Sequence, residues 1–277
     1  MRRLTTFACQ GATLAASIDP AAGATGLLIV TGGTQVRIGA HRGMMQLAAT
    51  VAAAGCPAFR FDRRGVGDSE GDDPGFAGSG PDIAAAVAAF RRECPHVERI
   101  VGFGLCDGAT ALAMHHAAAG LDGLILANPW TVEPQAGLPP AAAIRRRYAE
   151  RLLDPKAWWR LASGAIDYRA ALRGLASIVR RRAPAPLAHA MGGALAAGAV
   201  PVEIVLASGD ATAIAFDAEW QGPGFAAARR GGRIGIVRLD TRSHSFAAGD
   251  DPDRLAAICV TALAGLEAAH AAAAPPR

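Results

Sequence analysis

The sequence predicts an α/β protein: a mostly parallel central sheet, helices on both faces, and a helical insertion before the last two strands. Three observations carry this. Short apolar runs alternate with helical stretches, the pattern of parallel strands joined by crossover helices. Residues 130–200 break the alternation, with no strand-like run and several segments rich in Ala, Arg and Trp. A cysteine flanked by glycines, Gly104-Leu105-Cys106-Asp107-Gly108, stands between a strand-like run and a helical one.

The elements follow in order. Residues 4–9 and 12–18 flank Gln10-Gly11 and read as a hairpin. The run 26–31 (GLLIVT) is a buried strand ending at Gly32-Gly33. Residues 44–54 read as a helix and 57–61 as a strand. Residues 82–92 are a helix with Asp82 as its N-cap. A strand at 100–104, a helix at 106–119 and a strand at 123–127 come next. After the insertion, 202–207 (VEIVLA) and 234–239 (IGIVRL) are strands, and 252–270 is the final helix. The boundaries are a first core part at 1–129, a helical cap insertion at 130–200 and a second core part at 201–277.

Composition narrows the class. Hydrophobic residues are 51% and charged residues 19% of 277, which is the balance of a folded globular chain. A net charge of +4 without a basic stripe does not describe a nucleic-acid binder. The charge is uneven, however. Residues 145–182 carry 11 basic and 3 acidic side chains, so this segment is net +8 and the rest of the chain is net negative. Arg145-Arg146-Arg147 and Arg180-Arg181-Arg182 are either solvated helix faces or a docking patch for an acidic carrier protein. No apolar run approaches a membrane span. The apolar start after Arg2-Arg3 is interrupted by Thr5, Thr6, Gln10 and Gly11, so it does not read as a signal peptide. Five scattered cysteines without a C-x-x-C argue against a disulfide framework or a zinc site and fit a reducing cytoplasm. His115 and His116 are consecutive on a helix and point about 100° apart, a poor ligand pair. No metal and no organic cofactor are expected.

The chemistry centres on Cys106. G-x-C-x-G between strand and helix has the form of a nucleophile elbow with cysteine for serine. Its glycines are required sterically, because side chains two residues either side would collide with the neighbouring strand and helix. The helix that follows points its N-terminus at the sulfur and favours thiolate. An elbow implies an acid and then a histidine, each after a later strand. Asp210 follows 202–207 and His244 follows 234–239, so Cys106, Asp210 and His244 form a candidate catalytic triad. Backbone amides at Gly33, or equally Thr34, and at Asp107 are the candidate oxyanion donors. Asp62-Arg63-Arg64-Gly65-Val66-Gly67-Asp68-Ser69 reads as a structural turn under the site, since its glycine spacing does not fit a dinucleotide fingerprint. Arg37 and Arg42 are open to a structural ion pair or a substrate carboxylate. Trp130, Tyr148, Trp158 and Trp159 read as packing residues of the cap.

These motifs resemble the α/β-hydrolase superfamily along nearly the whole chain. The D-x-R-G-x-G-x-S pattern at 62–69 and Thr31-Gly32-Gly33-Thr34 at the oxyanion loop, with Thr31 in the place of the family's histidine, are part of that likeness. A closer resemblance is to the exosortase A system-associated hydrolases of the first type. It rests on residues 32–42 (GGTQVRIGAHR), 59–71 (FRFDRRGVGDSEG), Gly104-Leu105-Cys106-Asp107 and Asn128-Pro129-Trp130. It implies an α/β-hydrolase fold and a bacterial protein encoded near an exopolysaccharide and protein-sorting locus. The residues themselves point to hydrolysis of esters or thioesters through an acyl-cysteine. Acyl transfer to another acceptor and a non-catalytic scaffold remain alternatives.

Overall fold

The computed structural model describes residues 1–131 and 186–273. Eight strands form one sheet: β1 (Arg3–Cys9), β2 (Ala12–Asp19), β3 (Thr25–Val30), β4 (Ala58–Phe61), β5 (Arg99–Leu105), β6 (Gly123–Ala127), β7 (Val202–Ala207) and β8 (Ile234–Leu239). Their order is β1-β2-β4-β3-β5-β6-β7-β8. β1 and β2 make the expected hairpin, whose turn residues Gln10 and Gly11 both have positive φ, as a tight hairpin demands. β2 pairs antiparallel with β4, and every pair from β4 to β8 is parallel.

The parallel strands are apolar on both faces because helices cover both. In β3, Leu28 and Val30 enter one core while Leu27 and Ile29 enter the other. The first core takes α3 (Gly80–Glu93), α4 (Asp107–Ala119), α5 (Pro186–Ala197) and α6 (Ala211–Trp220), through side chains such as Phe90, Leu112, Met191 and Phe216. The second takes α1 (Gly43–Ala53) and the terminal helix α8 (Asp251–Ala273), through Leu47, Val51, Leu255 and Cys259. Two short helices, α2 (Gly75–Gly78) and α7 (Ala226–Arg230), and two 3-10 turns, Ala40–Arg42 and Pro223–Phe225, complete the described elements.

Several sequence expectations change. Asp82 is not the N-cap: the helix begins at Gly80 after Ser79, with Pro81 in its opening turn, a position proline favours. Asp82 lies within that turn, fully buried, where its carboxylate accepts from the Arg64 amide at 3.1 Å, Arg64 Nε at 2.5 Å and Cys9 Sγ at 3.3 Å. Helix α6 was not anticipated at all, because its window gives no clear apolar stripe. Residues 186–197, read as part of the cap, form α5. This helix lies on α4 and contributes Ala188, Met191 and Leu195 to the core. Residues 132–185, with both arginine triplets, Tyr148, Trp158 and Trp159, lie outside the described residues.

Candidate active site

The strand order places the site. β3 has β4 on one side and β5 on the other, so the chain leaves β3 and β5 in opposite directions, and their carboxyl ends mark the switch point where open α/β sheets bind ligands. Gly32 and Gly33 follow β3, and Cys106 follows β5. Asp210 and His244 follow β7 and β8 farther along the same edge.

Cys106 has φ 59° and ψ −124°, a conformation that L-residues rarely adopt. A sharp turn between β5 and α4 imposes it. Its amide donates to the Ala127 carbonyl at 3.0 Å, and its own carbonyl accepts from Trp130 N at 3.2 Å and Thr110 N at 3.3 Å. The glycines are needed for the reason the motif suggests. A Cβ on Gly104 would stand 2.6 Å from Ala109 N in α4, and one on Gly108 would stand 2.6 Å from the Val30 carbonyl of β3. Cys106 is half-buried, whereas Cys9, Cys56, Cys94 and Cys259 are buried. Burial pushes those four thiols up, Cys9 to about 11 with help from Asp82.

The structure brings Asp210 and His244 together, with Cys106 within the reach of His244. Asp210 Oδ2 accepts from His244 Nδ1 at 3.1 Å. It also N-caps α6, accepting the Thr212 and Ala213 amides at 3.0 Å each. Burial works to raise the Asp210 pKa, but the His244 hydrogen bond and charge and the two amides outweigh it, so the carboxyl titrates below its usual range. His244 is pushed up to about 10, first by its hydrogen bond to Asp210, then by hydrogen bonding to Cys106 and by both charges, against opposing desolvation. Both neighbours thus favour the protonated form of the imidazole.

The histidine loop is braced from several sides. Asn128 Nδ2 donates to the His244 carbonyl at 2.8 Å, while Asn128 Oδ1 accepts from the Ala207 amide at 2.8 Å. Ser243 N donates to Thr241 Oγ1 at 3.1 Å, and that hydroxyl donates to Asp251 at 2.5 Å. Sequence reasoning gave Asn128 no role. The signals were a polar residue directly after the apolar GLILA strand and its place in the Asn128-Pro129-Trp130 stretch of the family likeness.

The amide of Gly33 is engaged within the protein. Gly33 N, a candidate donor, already donates to Asp107 Oδ1 at 2.5 Å. The Gly33 carbonyl accepts from Arg63, a buried arginine whose second terminal nitrogen has no partner. Asp107 opens α4, so its own amide has no intrahelical acceptor and faces outward from the helix start. The loop at 62–69 is structural, as expected. Asp62 is fully buried and accepts from the Arg37 amide and guanidinium and from Asp68 N at 3.2 Å. Arg37 also pairs with Asp68 at 2.9 Å, so its charge is used within the loop. Among the described residues no group of three His, Cys, Asp or Glu could hold a metal ion, and no helix is long and apolar enough to cross a membrane.

Comparison with known proteins supports the architecture. No family model and no curated protein matches the sequence. Solved structures do match in shape. An esterase of Pyrococcus furiosus, Pf2001, has a TM-score of 0.63 at 13% identity, covering 94% of this chain and 89% of that one. A proline iminopeptidase of Mycobacterium smegmatis has a TM-score of 0.62 at 16% identity, covering 97% and 100%. Est1E of Butyrivibrio proteoclasticus, solved with ferulic acid bound, has a TM-score of 0.62 at 16% identity, covering 95% and 99%. With an eight-stranded, mostly parallel sheet between two helical layers and these neighbours in shape, the chain has the α/β-hydrolase fold.

Proposed function

We propose that this protein is a hydrolase of ester or thioester bonds, acting through a covalent acyl-enzyme on Cys106. The observation that carries the reading is the placement of His244, hydrogen-bonded to Asp210 at 3.1 Å and raised to about 10 in part by Cys106. An imidazolium beside the sulfur favours thiolate. The thiolate adds to the acyl carbon, forming a C–S bond and an oxyanion that the Asp107 and Gly33 amides accept. Collapse expels the alkoxide or thiolate leaving group, which takes the His244 proton. Acylation removes the negative sulfur from beside His244, so the imidazole loses two of the influences that raised it. It then accepts a proton from water, the hydroxide adds to the thioester, and Cys106 leaves as thiolate. Sulfur is a better leaving group than an amide nitrogen, which favours esters and thioesters over peptides. Esterases among the structural neighbours support the same substrate class.

The sequence likeness to exosortase A system-associated hydrolases of the first type supports a bacterial, cytoplasmic enzyme encoded near an exopolysaccharide locus. The excess of basic residues in 145–182 supports docking of an acidic acyl carrier. That docking predicts carrier-dependent turnover that falls with salt.

The test is incubation with p-nitrophenyl acetate and a short acyl thioester, followed by intact and peptide mass spectrometry. An acyl adduct on Cys106, lost in Cys106→Ala and slowed in His244→Ala, is expected. Absence of an adduct in the wild-type protein overturns the reading in favour of a non-catalytic scaffold.

A further inference from the structure

We propose that the carboxylate of Asp107 plugs the oxyanion site in the free protein and must be displaced from the Gly33 amide by the substrate carbonyl. The inference rests on the acyl-transfer reading and goes beyond it, since that reading uses only the Asp107 backbone. Gly33 N donates to Asp107 Oδ1 at 2.5 Å, so the donor that should meet a developing oxyanion is already engaged. Asp107 adjoins Cys106, and its carboxylate lies at the same narrow place: a Cβ on Gly32 would meet Asp107 Oδ1 at 2.7 Å and Cys106 Cβ at 3.1 Å. Among the described residues no basic side chain pairs with this carboxylate, which is half-buried. Among the described residues the Gly33 amide is its hydrogen-bond partner.

The chemical consequence is selectivity. A neutral carbonyl oxygen is a weaker partner for an N–H than a carboxylate. A small acyl donor with few other contacts therefore displaces the plug poorly. A larger donor, bound elsewhere on the protein, spends that binding on opening the donor. Asp107 is in this sense a specificity-determining residue, disfavouring small adventitious esters.

The experiment compares two reactions of Cys106 in the wild-type protein, Asp107→Ala and Asp107→Asn. Acylation by p-nitrophenyl acetate forms an oxyanion, whereas alkylation by iodoacetamide displaces iodide and forms none. The acylation rate divided by the alkylation rate isolates the donor from changes in thiol reactivity. Asp107→Ala is expected to raise this ratio by about tenfold or more, within the range that a single oxyanion donor commands. Asp107→Asn, whose neutral oxygen still reaches Gly33 N, gives a smaller rise. An unchanged or lower ratio in the folded variants overturns the plug and leaves Asp107 as a support for the start of α4, with Thr34 as the working donor. Should Asp107→Ala not fold, the near-isosteric Asp107→Asn decides alone by the same criterion. Alkylation of Cys106 without acylation in any of the three proteins overturns the acyl-transfer reading itself, and the plug with it.

Discussion

The side-chain amide of Asn128 ties the His244 backbone to the end of β7, donating to the His244 carbonyl and accepting from the Ala207 amide at 2.8 Å each. It is fully buried and follows β6 directly, between the strand that leads to Cys106 and the strand that leads to Asp210. One residue thereby holds the loop of His244 against the strand that leads to Asp210. Replacing it with alanine leaves a buried N–H and a carbonyl without their partner, a loss of about 1–3 kcal/mol for each group that stays unsatisfied. Denaturant unfolding of Asn128→Ala should show that loss, and the acylation rate of Cys106 should fall with it. In Asn128→Asp the donor is gone while the acceptor remains, so the His244 loop is released although β7 keeps its contact. Its acylation rate should fall even where its stability is partly retained.

His244 should titrate near pH 10, not near 6.5. Proton NMR of the imidazole ring reads the midpoint directly. Asp210→Asn should lower it more than Cys106→Ala does, because the Asp210 hydrogen bond is the largest influence. The sign for stability follows from linkage. A raised histidine pKa contributes stability that is full below pH 6.5 and is lost as pH rises through about 10. The depressed Asp210 pKa contributes stability present above its ordinary value of 3.8 and lost as pH falls through its lower folded value. The Asp210–His244 pair should therefore stabilise the fold most between those limits. Unfolding measured across pH in wild type and Asp210→Asn checks this, with the difference shrinking at both ends.

Iodoacetamide near neutral pH should label Cys106 alone in the folded protein. The other four thiols are buried and held upward by that burial. Peptide mapping after brief labelling gives the site, and unfolding in denaturant should release all five.

Cys106 sits at φ 59°, which costs a side-chain-bearing residue about 1–3 kcal/mol. Cys106→Gly relieves that strain and Cys106→Ala does not. The glycine variant should be the more stable of the two by about 1 kcal/mol or more, although neither is able to form an acyl-enzyme. Equal unfolding midpoints would show that the elbow stores no strain.

Gly108→Ala should fail on packing, not on strain. Its Cβ would lie 2.6 Å from the Val30 carbonyl and 2.9 Å from the Thr31 carbonyl, both backbone atoms that cannot rotate away. Overpacking of this kind costs about 1–3 kcal/mol, and it pushes α4 away from β3. Thermal unfolding and the rate of Cys106 acylation should fall together.

The sequence by itself determined the layered fold and the order of the chemistry. A continuous apolar run such as GLLIV, apolar on both faces, fits a parallel sheet covered on both sides, and the alternation of such runs with helices leaves little choice of class. The separation of Cys106, Asp210 and His244 by strands was legible for the same reason: each residue comes within five positions after an apolar run. Only the tertiary structure decided the contacts made across the chain. Asp82 looked like a local cap but is a buried carboxylate for Arg64, because the fold brings a loop 18 residues earlier against it. Asn128 entered the sequence reading only as part of a family likeness and became the brace of His244, 116 residues away. Gly33 looked like a free donor and is held by Asp107, 74 residues away. Local propensity and pattern fix what a segment becomes. Which polar group meets which depends on side chains converging from distant segments, and that appears only when the sheet is assembled.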